Sequence, residues 1–225
     1  MDEELQQLIK LKVLSKPPEV TVSTGFVHNK LTGCDNPYKI TLGWDLISAY
    51  ECDKQWTSFR LQIAALLATM SEPDRQKELQ MIPNEDGHWK WLDKSALLKK
   101  DEYKWFFFKT DNSIEAVCLI YHPKKSVSSK KDVFYIEFIA VAPWNRYNPC
   151  SEKKHKNIGS ILLKEIMKYC TIKLNFEAGM CLHSLPQAKS FYEEKLGMVH
   201  FSDEDKGPLY YYEMNDHKFI EFMRA

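Results

Sequence analysis

An α/β fold with a sheet of mixed strand direction is predicted from three features of the second half of this chain. Residues 102–124 hold two strand-length apolar runs, "EYKWFFFKT" and "IEAVCLIYHPK", either side of the tight-turn tripeptide "DNS". Residues 133–143, "VFYIEFIAVAP", form a long apolar run broken by one carboxylate. Helix-period segments then alternate with short strand-like ones. The order from residue 102 onward therefore reads β-β-β-α-β-α-β-β.

The first hundred residues carry weaker signals. "MDEELQQLIKLKVLSK" reads as a short amphipathic helix, with Leu5, Leu8, Ile9 and Leu11 or Val13 on one side. It begins acidic, without the apolar stretch and small-residue cleavage site of a signal peptide. Residues 17–42 mix Pro, Gly and Asn with short β-branched runs, which suggests loops around one or two short strands. In "CDKQWTSFRLQIAALLATM", Trp56, Phe59, Ile63, Leu66, Leu67 and Met70 recur at helical spacing, and Asp53 is the expected cap. Residues 71–100 read as irregular structure with further short helix.

The C-terminal elements are clearer. Ile158, Ile161, Leu162, Ile166 and Tyr169 make one apolar side of a helix over 158–170. "AGMCLHSL" (178–185) reads as a strand. "PQAKSFYEEKLG" (186–197) reads as a helix with Pro in its first turn and Gly past its end. "MVHFS" and "LYYYEMN" (209–215) close the chain as strands, and the lysines of "KKSVSSKK" (124–131) are expected on a solvated turn.

Composition narrows the function. Lys+Arg and Asp+Glu both number 31 in 225 residues, so no global field draws the chain to nucleic acid or an anionic membrane. No apolar run approaches the ~20 residues of a membrane span. Six cysteines show neither C-x-x-C pairs nor zinc-like grouping with the seven scattered histidines, so no metal site is expected. The thiols read as reduced, and the expected compartment is the cytoplasm. Cysteine–histidine catalysis from Cys150 or Cys181 with His155 or His183 has no local signature. A nucleotide-binding α/β protein would need a G-x-G-x-x-G or G-K-[ST] stretch, and neither occurs.

Three segments, "YIEFIAVAP", "HKNIGSILL" and "QAKSFYEEKLGM", resemble in order and spacing the signature segments of the GNAT superfamily of acyl-CoA-dependent N-acetyltransferases. The likeness covers roughly residues 100–215. It implies a mostly antiparallel twisted sheet with helices on both faces. It also implies an acyl-CoA-binding core over 101–225, with residues 1–100 as an N-terminal extension and acceptor-side helices of the same domain. The pattern departs at two places. Asn157 stands where the family's first loop glycine usually falls, and Lys154 where Arg or Gln usually stands; "WNRYNPCSEKK" lengthens the connection to the helix. Asn tolerates left-handed backbone better than most residues.

The resemblance assigns chemistry to residues. Acetyl-CoA would be the co-substrate, its pyrophosphate held by Lys154, His155, Lys156, Asn157, Ile158, Gly159 and Ser160, chiefly through backbone N–H groups at a helix start. Bulk at Gly159 would block the approach. The amide of Val141, or of Ala142 beside it, would polarise the thioester carbonyl. Glu137 would accept the proton of the attacking amine, unless it only faces solvent or pairs with a lysine. Tyr192 would protonate the leaving thiolate, unless it is simply part of the helix's apolar side. "GHWKW" (87–91) and Trp144 could line a substrate groove or pack. The acceptor is an amine of a small molecule or protein, nucleic acid and membrane are not expected partners, and a homodimer through an exposed strand edge is conceivable. The rival expectation is a GNAT-fold module that senses acyl-CoA or binds a partner without turnover.

Overall fold

The computed structural model describes residues 20–111 and 113–225. The amphipathic helix expected near Leu5–Val13, and Asn112 of the 111–113 turn, lie outside the described residues.

Strands β1 (Val20–Asn29) and β2 (Cys34–Leu42) form an antiparallel hairpin whose register runs from Asn29↔Cys34 to Val20↔Leu42. This is longer regular structure than the sequence suggested. The turn works because Gly33 adopts φ +71°, open to glycine without strain, and its N–H donates to the Asn29 carbonyl at 2.8 Å. Helices α1 (Leu46–Ala68), α2 (Glu72–Met81) and α3 (Trp91–Leu97) follow.

Asp45, in extended conformation, caps α1 by accepting from the amides of Ile47 (3.0 Å) and Ser48 (3.1 Å). The cap expected at Asp53 is therefore a correction. Asp53 sits within α1 and reaches across the sequence to accept from the amides of Trp91 (2.8 Å) and Leu92 (2.9 Å), capping α3 instead. Trp56, Ile63 and Leu67 of α1 are buried, as the periodicity requires. Trp91 is buried too, edge-on to Trp56 at 5.9 Å and to Trp105 at 6.3 Å, so this part of "GHWKW" is packing.

Strands β3 (Tyr103–Thr110), β4 (Ser113–Lys125) and β5 (Asp132–Val141) come next. Trp105–Phe108 and Ile114–Ile120 are buried residue after residue. Burial on both faces explains why these strands read as continuous apolar runs rather than alternations. Helix α4 (Ile158–Ile172) leads to β6 (Met180–Ser184), which pairs parallel to β5 through Tyr135↔Cys181. A parallel neighbour requires such a crossover element. Strand β7 (Val199–His200) is only two residues long and, like β6, lies antiparallel to β8 (Tyr210–Met214). Helix α5 (Asp216–Arg224), capped by Asn215, was not foreseen. The strands are hydrogen-bonded in the order β1-β2-β3-β4-β5-β6-β8-β7, a mixed and mostly antiparallel sheet.

The regular helix expected over 186–197 is a second correction. A 3₁₀ turn at Pro186–Ala188 is followed by a π-helical turn at Phe191–Lys195, closed by Leu196 N–H on the Phe191 carbonyl at 3.1 Å. Gly197 ends it at φ +62°. The turn over 124–131 is also more than solvated. The buried Glu213 carboxylate gathers the Val127 and Ser128 amides and the Ser126, Ser128 and Tyr211 hydroxyls, all within 3.1 Å.

The chain forms two compact units. One comprises the described residues up to Lys99, with Trp105–Val117 and Ala140–Gly159; the other comprises Lys100–Lys104, Cys118–Ile139 and Ser160–Ala225. Among the described residues, no helix is long and apolar enough to cross a membrane.

Candidate active site

The long connection after β5 is organised around one carboxylate. Glu115 of β4 has no exposed surface. Its Oε2 accepts from Trp144 Nε1 (2.7 Å) and Asn145 Nδ2 (2.6 Å), and its Oε1 from Ser113 Oγ (2.5 Å), Thr110 Oγ1 (2.9 Å) and Lys154 Nζ (2.9 Å). Burial pushes the Glu115 carboxyl up, but the Lys154 ammonium and the donors of Ser113 and Trp144 outweigh it and hold the group below its ordinary value. The backbone is pinned at the same place. Lys154 N–H donates to the Trp144 carbonyl (3.0 Å), and Lys30 N–H donates to that of Lys154 (2.9 Å).

This network changes two expected phosphate ligands. The Lys154 charge is committed to Glu115 rather than offered outward. The His155 amide donates to Asn145 Oδ1 at 2.9 Å, and its buried ring donates through Nδ1 to the His28 carbonyl at 3.1 Å. His155 is therefore an anchor of the loop, not part of a cradle. A third change concerns Ala142, whose amide donates to the Glu115 carbonyl at 2.8 Å. Val141 is left as the candidate carbonyl-polarising donor.

Beyond His155 the chain enters α4. Lys156 and Asn157 are exposed, Gly159 and Ser160 half-buried, and only the Ile158 side chain turns into the core. Asn157 adopts φ 61°, the left-handed conformation a glycine would otherwise supply. The first four amides of α4 have no acceptor within their own helix. A Cβ at Gly159 would lie 3.2 Å from Val141 Cγ2, so a side chain there would fill the space between the helix mouth and the end of β5.

In the other unit, Glu137 of β5 is half-buried, in line with Tyr135 and Val133 along one face of the strand. Its charge helps push the Tyr135 and Tyr103 hydroxyls up, after burial. The Tyr135 hydroxyl and His183 Nδ1 share a hydrogen bond of 2.7 Å, His183 Nε2–H donates to the Glu204 carbonyl at 2.8 Å, and burial pushes the imidazole below its ordinary value. Tyr192 lies on the π turn, stacked on Tyr212 with ring centroids 5.9 Å apart. Burial pushes its phenol up to about 12, so it holds its proton through neutral pH. Burial drives the Cys181 thiol up to about 12 and raises that of Cys150, the opposite of what activates a thiol nucleophile.

Sequence reasoning passed over Glu115 and a cavity of about 450 Å³ beside α1 and the β5–α4 connection. Arg60 and Arg146 line it with Leu67, Ile82, Pro143 and Tyr147. Glu115 carried the same signal as Glu137, a lone carboxylate in an apolar strand. The cavity had none, since its residues are dispersed over some ninety positions.

No family model matches the sequence, and no curated protein does. Solved structures give low-level likenesses. A PaiA N-acetyltransferase from Thermoplasma acidophilum in complex with coenzyme A is 16% identical (TM-score 0.45), covering 78% of this chain and 98% of its own. The GNAT domain of PAT from S. lividans is 7% identical (TM-score 0.49; 84% and 95%). An uncharacterized Bacillus halodurans protein is 12% identical (TM-score 0.49; 91% and 96%). Their activities and ligands remain their own.

Proposed function

We propose that this chain transfers an acyl group, acetyl first among them, from acyl-CoA to an amine by direct attack. The observation that carries the reading is the start of α4, where Asn157 is left-handed and Gly159, without a side chain, packs close to Val141, an arrangement that would leave backbone donors to a ligand. Coenzyme A, when bound, supplies an activated thioester. The amides at 157–160 would hold its pyrophosphate by the helix N-terminal charge. Exposed Lys156 would add positive charge there, whereas Lys154 is paired with Glu115. The Val141 amide would stabilise the oxyanion formed as the amine adds.

Proton handling falls to two residues. An amine of pKa ~10.4 is mostly protonated at neutral pH, so a base is needed, and Glu137 is that base. Tyr192, held protonated, donates to the departing thiolate. The second reading, an acyl-CoA-sensing module without turnover, draws on the commitment of Lys154 and His155 to the loop, which leaves fewer groups for the phosphates.

Thiol release from acetyl-CoA against a panel of amines tests the proposal, with Glu137→Gln and Tyr192→Phe as controls. Turnover that falls ~100-fold or more in each variant is expected. Coenzyme binding without turnover on any amine would favour the sensing module.

A further inference from the structure

Two guanidiniums, Arg60 and Arg146, line the cavity beside α1, and both lie against the carboxylate of Asp86, which does not itself line it. Asp86, only 8% exposed, accepts both Nη1 (2.9 Å) and Nη2 (2.6 Å) of Arg146, and Arg60 Nη2 lies 3.5 Å from the same Oδ1. The bidentate pair satisfies Asp86 with Arg146 alone. Arg60 is then a second positive charge, stacked over the Trp56 ring at 5.9 Å. Burial pushes its guanidinium below the ordinary value; Asp86 pulls it back up, and the neighbouring Arg146 adds to the lowering. Two donors are buried with no hydrogen-bond partner, Nη2 of Arg60 and Nε of Arg146. Lys90 adds a third cation to the lining. Besides Asp86, a second carboxylate, half-buried Glu78, accepts from the hydroxyl of the lining residue Tyr147 at 2.8 Å.

The remaining walls are apolar, from Ile63, Leu67, Leu79, Ile82 and Pro143. At about 450 Å³ the space falls within the ~300–1,000 Å³ of small-molecule sites. Pro143 and Arg146 follow Val141 by two and five residues, so this wall begins where the proposed carbonyl-polarising strand end stops. We propose that the cavity is the acceptor site and that it selects an amine carrying both an apolar body and a carboxylate, the carboxylate answering the excess charge of Arg60 and Arg146. The reactive half of this inference rests on the acyl-transfer reading; the binding half does not.

Calorimetry with 3-phenylpropionate and its neutral isostere 3-phenylpropanamide tests binding without any reactive amine. The carboxylate is expected to bind at least ~10-fold tighter, as a charge-assisted hydrogen bond provides. Arg60→Gln, which keeps the Arg146–Asp86 pair, should shrink that preference to under ~3-fold. Equal binding of the two probes, binding of neither, or an unchanged preference in Arg60→Gln overturns the site. In a separate arm, phenylalanine should exceed phenethylamine in kcat/KM for acetyl transfer by a similar factor, and the reverse order overturns the specificity. Absence of all transfer with the carboxylate preference intact would count against the acyl-transfer reading while upholding the anion site.

Discussion

Lys154 Nζ stands 2.9 Å from Glu115 Oε1, and this pair fixes the connection that delivers the chain to the start of α4. A buried carboxylate with one cation and four neutral donors is costly to disrupt, because the partners left behind stay desolvated. Lys154→Met should destabilise the fold by about 3–5 kcal/mol, read by urea denaturation at pH 7. Glu115 titrates below its ordinary 4.5 in the folded state, so its contribution is complete above about that pH and is lost as pH falls through the lower folded value. Glu115→Gln should therefore weaken the protein at pH 7 and flatten its loss of stability on acidification below pH 4.5.

Asn157 holds a conformation that β-branched side chains resist. Asn157→Gly should change unfolding free energy by less than ~0.5 kcal/mol, while Asn157→Val should cost about 1–2 kcal/mol. Equal effects would mean that the left-handed turn before α4 is not what this position supplies.

Gly159→Ala probes the space above Val141. Helix propensity favours alanine by up to ~1 kcal/mol, and the 3.2 Å approach to Val141 Cγ2 works against it, so stability should move by less than ~1 kcal/mol. Coenzyme A affinity measured by calorimetry should fall at least ~10-fold, because the added methyl enters the diphosphate's approach. Unchanged affinity would detach Gly159 from the coenzyme.

Asp53 caps a helix nearly forty residues away in sequence. Asp53→Ala should cost about 1–2 kcal/mol through the lost N-cap of α3. The capping role is refuted if urea midpoints coincide.

Tyr192 is held protonated by burial, its phenol at about 12. Any alkaline loss of activity below pH 10 should thus persist in Tyr192→Phe, with kcat lower throughout. Disappearance of that limb in the variant would assign it to Tyr192 itself.

Legibility differed between fold and site for physical reasons. Buried strands announced themselves because Trp105–Phe108 and Ala116–Ile120 are apolar on both faces. α4 did so because its core side chains, Ile158, Leu162 and Ile166, recur at helical spacing. Asp53 reads locally as the cap of α1, and only the tertiary position of α3 shows that it caps that helix while Asp45 caps α1. Likewise Glu115 and Glu137 are the same local pattern with opposite surroundings, one sealed by Trp144, Asn145 and Lys154, the other half-buried. The π turn at Phe191–Lys195 has the composition of an ordinary helix, so nothing local distinguished it. The Arg60–Asp86–Arg146 cluster joins three distant segments, which no spacing rule can assemble.

Thermal and chemical stability in the presence of coenzyme A tests the central claim most directly. At 100 times its dissociation constant, coenzyme A should add ~2.7 kcal/mol to the folded state, and Gly159→Ala should remove about half of that gain or more at the same concentration. A protein whose unfolding is indifferent to coenzyme A at millimolar concentration would contradict the claim that the mouth of α4 grips its diphosphate.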